Sequence, residues 1–244
     1  MSDPREGRTG EQPAQPPTEP GVALRLAVVL LVAASGAVEA ISFVALDHVF
    51  AGVMTSNIAL LGMAIGRGQG TGVTAAVLAL TGFAVGAAVT AAFTRRGASV
   101  VTHWSPPVMF CLVAEVLLLT VGAGIWAALG GEPGHTARDV LQFGAAATMG
   151  IQSAAMVAAG RAAAPTTYLT GTLATYIVKG AGAGRPDHWV PVRLAALVAG
   201  AGFSVALLRA APEWAGVLPV ALAVCAVAAA GVPLMRLGRR SVGR

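Results

Sequence analysis

The sequence predicts an all-α fold: a polytopic transmembrane helical bundle of about six spans, with two short re-entrant or broken helices among them. Three observations predict it. Of 244 residues, 56% are hydrophobic and only 11% are charged, where a soluble domain carries about 25% charged residues. Apolar runs recur along the whole chain, several near the roughly 20 residues that a helix needs to cross the hydrocarbon core. The runs of the first half return in the same order in the second. A chain with so little charge cannot coat a globular surface. That excludes a soluble enzyme, a nucleic-acid-binding domain and a disordered protein.

The elements follow in order. Residues 1–20 are polar and rich in Pro and Gly, and are expected to form a disordered cytoplasmic tail. The first run, Val22–Leu46, starts too late and runs too long for a cleaved signal peptide, so a retained membrane helix is expected. The second run, Val53–Ile65, is short and ends at Gly66-Arg67-Gly68-Gln69-Gly70. The third, Val73–Phe93, ends at Arg95-Arg96, and the fourth, Pro107–Leu129, ends at Gly130-Gly131-Glu132-Pro133-Gly134. The fifth is Val140–Ala159 and ends at Arg161. The sixth, Tyr168–Val178, is again short and ends at Lys179-Gly180. The seventh and eighth are Val190–Leu208 and Ala215–Leu234. Residues 21–235 thus form one transmembrane domain, followed by a basic tail at 236–244.

The halves, about 22–130 and about 138–235, carry matching segments. Gly36-Ala37-Val38-Glu39-Ala40 matches Gly150-Ile151-Gln152-Ser153-Ala154 at an offset of 114. Met54-Thr55-Ser56-Asn57 matches Leu169-Thr170-Gly171-Thr172 at 115, and Gly82-Phe83-Ala84-Val85 matches Gly202-Phe203-Ser204-Val205 at 120. Cys111 and Cys225 lie 114 apart. In each half the order is long, short, long, long. About 14 helical residues reach only about 21 Å. If the short runs do not cross, six spans and two inverted repeats result; if they do, eight spans and parallel repeats. With a cytoplasmic N-terminus, six spans leave Arg67, Arg138 and Arg209 outside and eight leave Arg95, Arg96, Arg161 and Arg209 outside, so the excess of basic residues in cytoplasmic loops favours six by one residue, with Arg95-Arg96 kept inside. Both arrangements put both termini inside.

The repeated segments also carry a resemblance. Gly36-Ala37-Val38-Glu39-Ala40-Ile41-Ser42-Phe43, then Val49-Phe50 and Met54-Thr55-Ser56-Asn57, resembles the first signature of the DUF1275 (YoaK-like) bacterial membrane proteins, roughly G-x-x-D-A-x-x-F…F-x-x-x-M-T-G-N. Gly150-Ile151-Gln152-Ser153-Ala154 and Thr167-Tyr168-Leu169-Thr170-Gly171-Thr172-Leu173 resemble its second, G-x-Q-N-A…T-Y-x-T-G-T-L. The likeness covers about residues 25–235. Glu39 stands where Asp is usual, Ser56 replaces a Gly, Ser153 replaces an Asn, and Asp47-His48 replaces small residues. The resemblance implies a multi-pass protein of the bacterial inner membrane and assigns no activity.

Glu39 is the leading candidate for function. A carboxylate deep in an apolar run costs several kcal/mol unless it is paired or neutralised, so a ligand-binding or proton-coupling role is expected. Gln152 is expected as its counterpart in the repeat. Thr55, Ser56 and Asn57 open the first short run and Thr170, Gly171 and Thr172 the second. Such residues cap helix N-termini, and paired short helices point to a transporter site near the midplane. Their dipoles favour an anionic or carboxylate-bearing small solute. Glu115, in the fourth run, is a further candidate, with a structural hydrogen bond as the alternative.

Other residues read as structural. Gly82 and Gly86 form a small-residue packing motif. Trp104, Trp126, Trp189 and Trp214 lie near run ends, as interfacial anchors do. Asp47, His48 and Asp139 are expected in solvent. Cys111 and Cys225 are expected in the core or facing lipid. The histidines, His48, His103, His135 and His188, sit in or beside loops, so no metal site or cofactor is expected. No catalytic motif is present, so no enzyme is expected. The expected partners are the lipid bilayer, a small solute and no nucleic acid; a homo-oligomer is compatible with the apolar surface. The expected function is a small secondary transporter or permease, the alternative a non-transporting sensor or assembly partner docking through the basic C-terminus.

Overall fold

The computed structural model describes residues 20–95, 103–160, 164–167, 169–183 and 187–242, among which there is no β-strand. The helices are α1 (Val22–Ala45), α2 (Met54–Gly66), α3 (Gly70–Thr94), α4 (Pro106–Ala128), α5 (His135–Ala159), α6 (Leu169–Ala183), α7 (Trp189–Ala210) and α8 (Val217–Val242). A one-turn 3-10 helix, Pro212–Trp214, leads into α8. Six segments are long and apolar enough to cross a membrane: α1, α3, α4, α5, α7 and Pro212–Gly231. The apolar part of α2 and residues Leu169–Val178 of α6 are shorter. Residues 1–19, Arg96, Arg161 and Tyr168 lie outside the described residues, as do the side chains of 232–244 in the basic tail.

The helices run past the apolar runs at several ends. α5 starts at His135 rather than Val140, taking in the polar turn Thr136–Asp139. Hydropathy marks the segment that suits lipid, whereas backbone hydrogen bonding continues to the next residue that breaks it. Here that break is the turn before Gly134, where Gly130 and Gly131 hold φ of 64° and 79°, a left-handed conformation that favours glycine.

The two halves exchange their first helices. α1 packs most extensively on α7 and α8, and α5 on α3 and α4. Two helix groups result: α1, α6, α7 and α8, and α5, α2, α3 and α4. They meet mainly through α4 on α8, with a thin contact between α1 and α5.

Glycines set the close crossings within each group. A Cβ on Gly36 would strike the backbone of Leu197 and Ala201, and one on Gly200 the backbone of Ala33. In the other group, a Cβ on Gly150 would strike Phe83 and Ala87, and one on Gly86 would strike Ala147. Every residue in the first set lies 114 positions from one in the second. The structural offset for α3 and α7 is therefore 114, pairing Gly86 with Gly200, rather than the 120 that pairs Gly82 with Gly202. Gly82 packs against Phe143 and Ala146 of α5, so the Gly82/Gly86 motif does serve helix contact.

Equivalent helices run antiparallel. Ser42 near the end of α1 meets Gln142 near the start of α5, while Leu31 meets Gln152. Gly216 just before α8 lies against Ala123 near the end of α4, and Trp126 Nε1 donates to the Pro212 carbonyl at 2.6 Å. Six crossings produce this relation. Eight would make α1 parallel to α5 and α4 parallel to α8.

The tryptophans divide. Trp104 is wholly buried, and Trp126 nearly so. Neither lies on the surface as an interfacial anchor would: Trp104, just before α4, and Trp126, near its end, each pack in a buried cluster. Trp189 carries the Arg25 guanidinium 5.4 Å over its ring, and Trp214 is exposed.

Candidate functional site

Glu39 lies on α1, one turn before Ser42. Its Oε2 accepts the Ala51 N–H at 2.9 Å and its Oε1 the Gly52 N–H at 2.7 Å. One carboxylate thus satisfies two successive backbone donors in the loop before α2, with the strength of charge-assisted bonds. Glu39 is partly exposed and Gly52 is buried. A Cβ on Gly52 would sit 2.7 Å from Oε1 of Glu39 and 3.3 Å from Cβ of Met149, so any larger residue would push the carboxylate aside.

The same loop is held at three further points. Asn57 Nδ2 donates to the Phe50 carbonyl at 2.6 Å, and its Oδ1 accepts the Phe50 N–H at 2.9 Å. The Ser42 hydroxyl lies 2.6 Å from the Val49 carbonyl oxygen and 2.7 Å from Oε1 of Gln142. It has one proton to give. Rotating the Gln142 amide would let its Nε2, which otherwise has no partner among the described residues, donate to Ser42 while Ser42 serves Val49. Phe43 stacks on Phe50, with ring centroids 4.8 Å apart. His48 is not simply solvated: it holds φ of 55° and its Nδ1 lies 2.9 Å from the Phe43 carbonyl.

The first short helix starts differently from expectation. α2 has Val53 at its N-cap, with no side-chain cap. Asn57 is fully buried but spends both side-chain groups on Phe50, outside the helix. Thr55, Thr170 and Gly171 are exposed, and Ser56 and Thr172 are half-buried.

A second cluster forms on α5. Gln152 Nε2 donates to Thr166 Oγ1 at 2.8 Å and to the Leu31 carbonyl at 3.3 Å. Ser153 and Thr167 share a short hydroxyl–hydroxyl contact. By the 114 offset the counterpart of Glu39 is Ser153, not Gln152. One residue along a helix turns a side chain by about 100°, yet both α5 residues still reach the segment before α6. The two clusters do not merge. Gln152 bonds Leu31, eight residues before Glu39, which places them about 12 Å apart along α1.

Glu115 stands alone. It is fully buried on the inward stripe of α4, with Val108, Cys111, Leu112 and Leu119. Neither carboxyl oxygen has a hydrogen-bond partner among the described residues.

A cavity of about 260 Å³ opens at one end of the bundle, between the two helix groups. Val38, Ile41, Ser42 and Leu46 line it from α1, and Gly216 and Pro219 from the α8 side. Across it stand Leu118, Leu119 and Trp126 of α4 and Val140, Phe143 and Thr148 of α5. The opposite end is filled. There Leu24, Leu31, Trp104, Leu112, Met156 and Ala230 form one buried cluster. Sequence reasoning missed the cavity, Ser42 and Gln142. The available signals were Ser42 at i+3 from Glu39 and an amide inside an apolar run.

The family model described as "Protein of unknown function (DUF1275)" matches residues 27–230. The "UPF0700 transmembrane protein YoaK" of Bacillus subtilis (strain 168) is 34% identical over 148 residues, 61% of this chain and 63% of its own length. The chain thus spans less than two thirds of that relative. No solved structure matches the chain.

Proposed function

The chain belongs to the DUF1275 family of multi-pass membrane proteins, and on that premise we propose that it is a small-solute secondary transporter or permease of the bacterial inner membrane, with both termini cytoplasmic. One observation carries the reading. The cavity between the two helix groups is open at one end, while the pseudo-equivalent space at the other end is occupied by the cluster around Trp104. A protein built from two inverted repeats has two such states of nearly equal packing, and rocking one group against the other exchanges them. The polar bonds of Glu39, Ser42, Gln152 and Ser153 all join one group to the other. They act as latches on either side of the α1/α5 crossing.

Glu39 is the coupling group in this reading. As a carboxylate it accepts both N–H groups; protonated, one of its oxygens becomes a donor facing a donor. Proton binding would therefore release one latch. Uptake by proteoliposomes across small organic acids, amino acids and neutral solutes, with and without a proton gradient, tests the proposal. Saturable uptake that loses its gradient dependence in Glu39→Gln is expected. No uptake of any solute sinks the transporter, and unaltered gradient dependence in Glu39→Gln sinks the coupling role.

A further inference from the structure

We infer that the cavity takes a small, uncharged, largely apolar solute, of the size of a one- or two-ring aromatic molecule. The inference rests on the transporter reading for its purpose and on the cavity wall for its content. Among the described residues, no Lys, Arg, His, Asp or Glu lines the cavity, and its side-chain polar groups, beyond the indole of Trp126, are the hydroxyls of Ser42 and Thr148. Trp126 spends its N–H on Pro212, and Thr148 donates to the Ala145 carbonyl at 2.7 Å.

An ion moved into such a space loses its hydration and finds no counter-charge, a penalty of several kcal/mol. A neutral apolar solute loses little and gains contacts with the wall. The rim repeats the pattern, since Val121, Ile125 and Val140 are exposed apolar residues. Size narrows the class further. An apolar cavity of about 150 Å³ accepts benzene, while drug-sized pockets start near 300 Å³. The cavity of about 260 Å³ falls between. The helix starts that pointed to an anion do not border it: Thr55 and Thr170 are absent from its wall, as is Glu39 of α1.

Ser42 supplies the polar edge. It lines the cavity and also holds the Val49 carbonyl in the loop that Glu39 grips. A solute with one N–H or O–H group could bond this hydroxyl, and so would touch the latch directly.

The test is equilibrium dialysis of radiolabelled indole and radiolabelled benzoate against the full chain in nanodiscs, with empty nanodiscs subtracted. The two probes are similar in size and differ in charge. Saturable retention of indole near one per chain, with benzoate at the empty-disc level, is expected. Gly144→Leu and Gly122→Leu point into the cavity, where a Cβ meets nothing within 4 Å at Gly144 and only Leu141 at 3.9 Å at Gly122. Each should weaken indole binding at least ten-fold. Saturable benzoate binding, absence of saturable indole binding, or unchanged indole binding in both leucine variants would overturn the inference. So would a phospholipid acyl chain retained one per purified chain that indole does not displace, which assigns the cavity to lipid. Binding here is read without transport. Indole retention together with failed uptake keeps the pocket and removes the transporter.

Discussion

The Glu39 carboxylate on α1 accepts the main-chain N–H groups of Ala51 and Gly52, at 2.9 and 2.7 Å, and so ties one helix group to the loop that enters the other. Both oxygens are used, and Gly52 leaves the room they need.

Removing that grip should be visible in stability. Glu39→Gln keeps the shape but offers one acceptor and turns an amide donor toward a backbone donor. A loss of about 1–3 kcal/mol is expected, read as a lower Tm in detergent. Gly52→Ala should cost a similar amount, because its methyl displaces the carboxylate. The two changes break the same contact, so the double variant should lose clearly less than their sum. Full additivity would show that the contact holds nothing together.

The glycine crossings predict a symmetry of effect. Gly36→Val and Gly150→Val push side chains into equivalent backbone, and each should cost about 1–3 kcal/mol. Gly124→Val, where no atom lies within 4 Å, should stay within about 0.5 kcal/mol. Thermal unfolding of the three variants checks the order; a harmless Gly150→Val would contradict the close α3/α5 approach.

Topology can be read in cells. Six crossings with a cytoplasmic N-terminus place Gln69 and Glu132 outside, whereas eight place both inside. In a background with Cys111 and Cys225 replaced by serine, Gln69→Cys and Glu132→Cys should react with an impermeant maleimide in intact cells. Labelling of either only after permeabilisation would argue for eight.

Glu115 predicts the opposite sign from Glu39. A fully buried carboxyl with no partner among the described residues pays for desolvation and gets no bond in return. Glu115→Leu should raise Tm by several degrees. If uptake survives, Glu115 is a packing residue; if uptake is lost while stability rises, it belongs to the solute or proton path.

Much of the fold was legible in the sequence. Low charge and eight apolar runs gave the helices within a few residues, and the order long, short, long, long gave two halves. Boundaries were less legible at α5, where backbone hydrogen bonding outlasts hydropathy. The importance of Glu39 was legible because a carboxylate in an apolar run is costly wherever it lies. Its partners were not, since backbone N–H groups are present at every residue but proline and carry no sequence signal.

The sequence by itself determined that the chain lives in a bilayer and holds an acid in its first span. Only the tertiary structure decided that the first helices are exchanged between halves, and that the candidate residues form two clusters instead of one. The reason is physical. Composition and periodicity act through solvation, which each segment feels alone, whereas register and cavity shape come from side chains of distant segments competing for the same space.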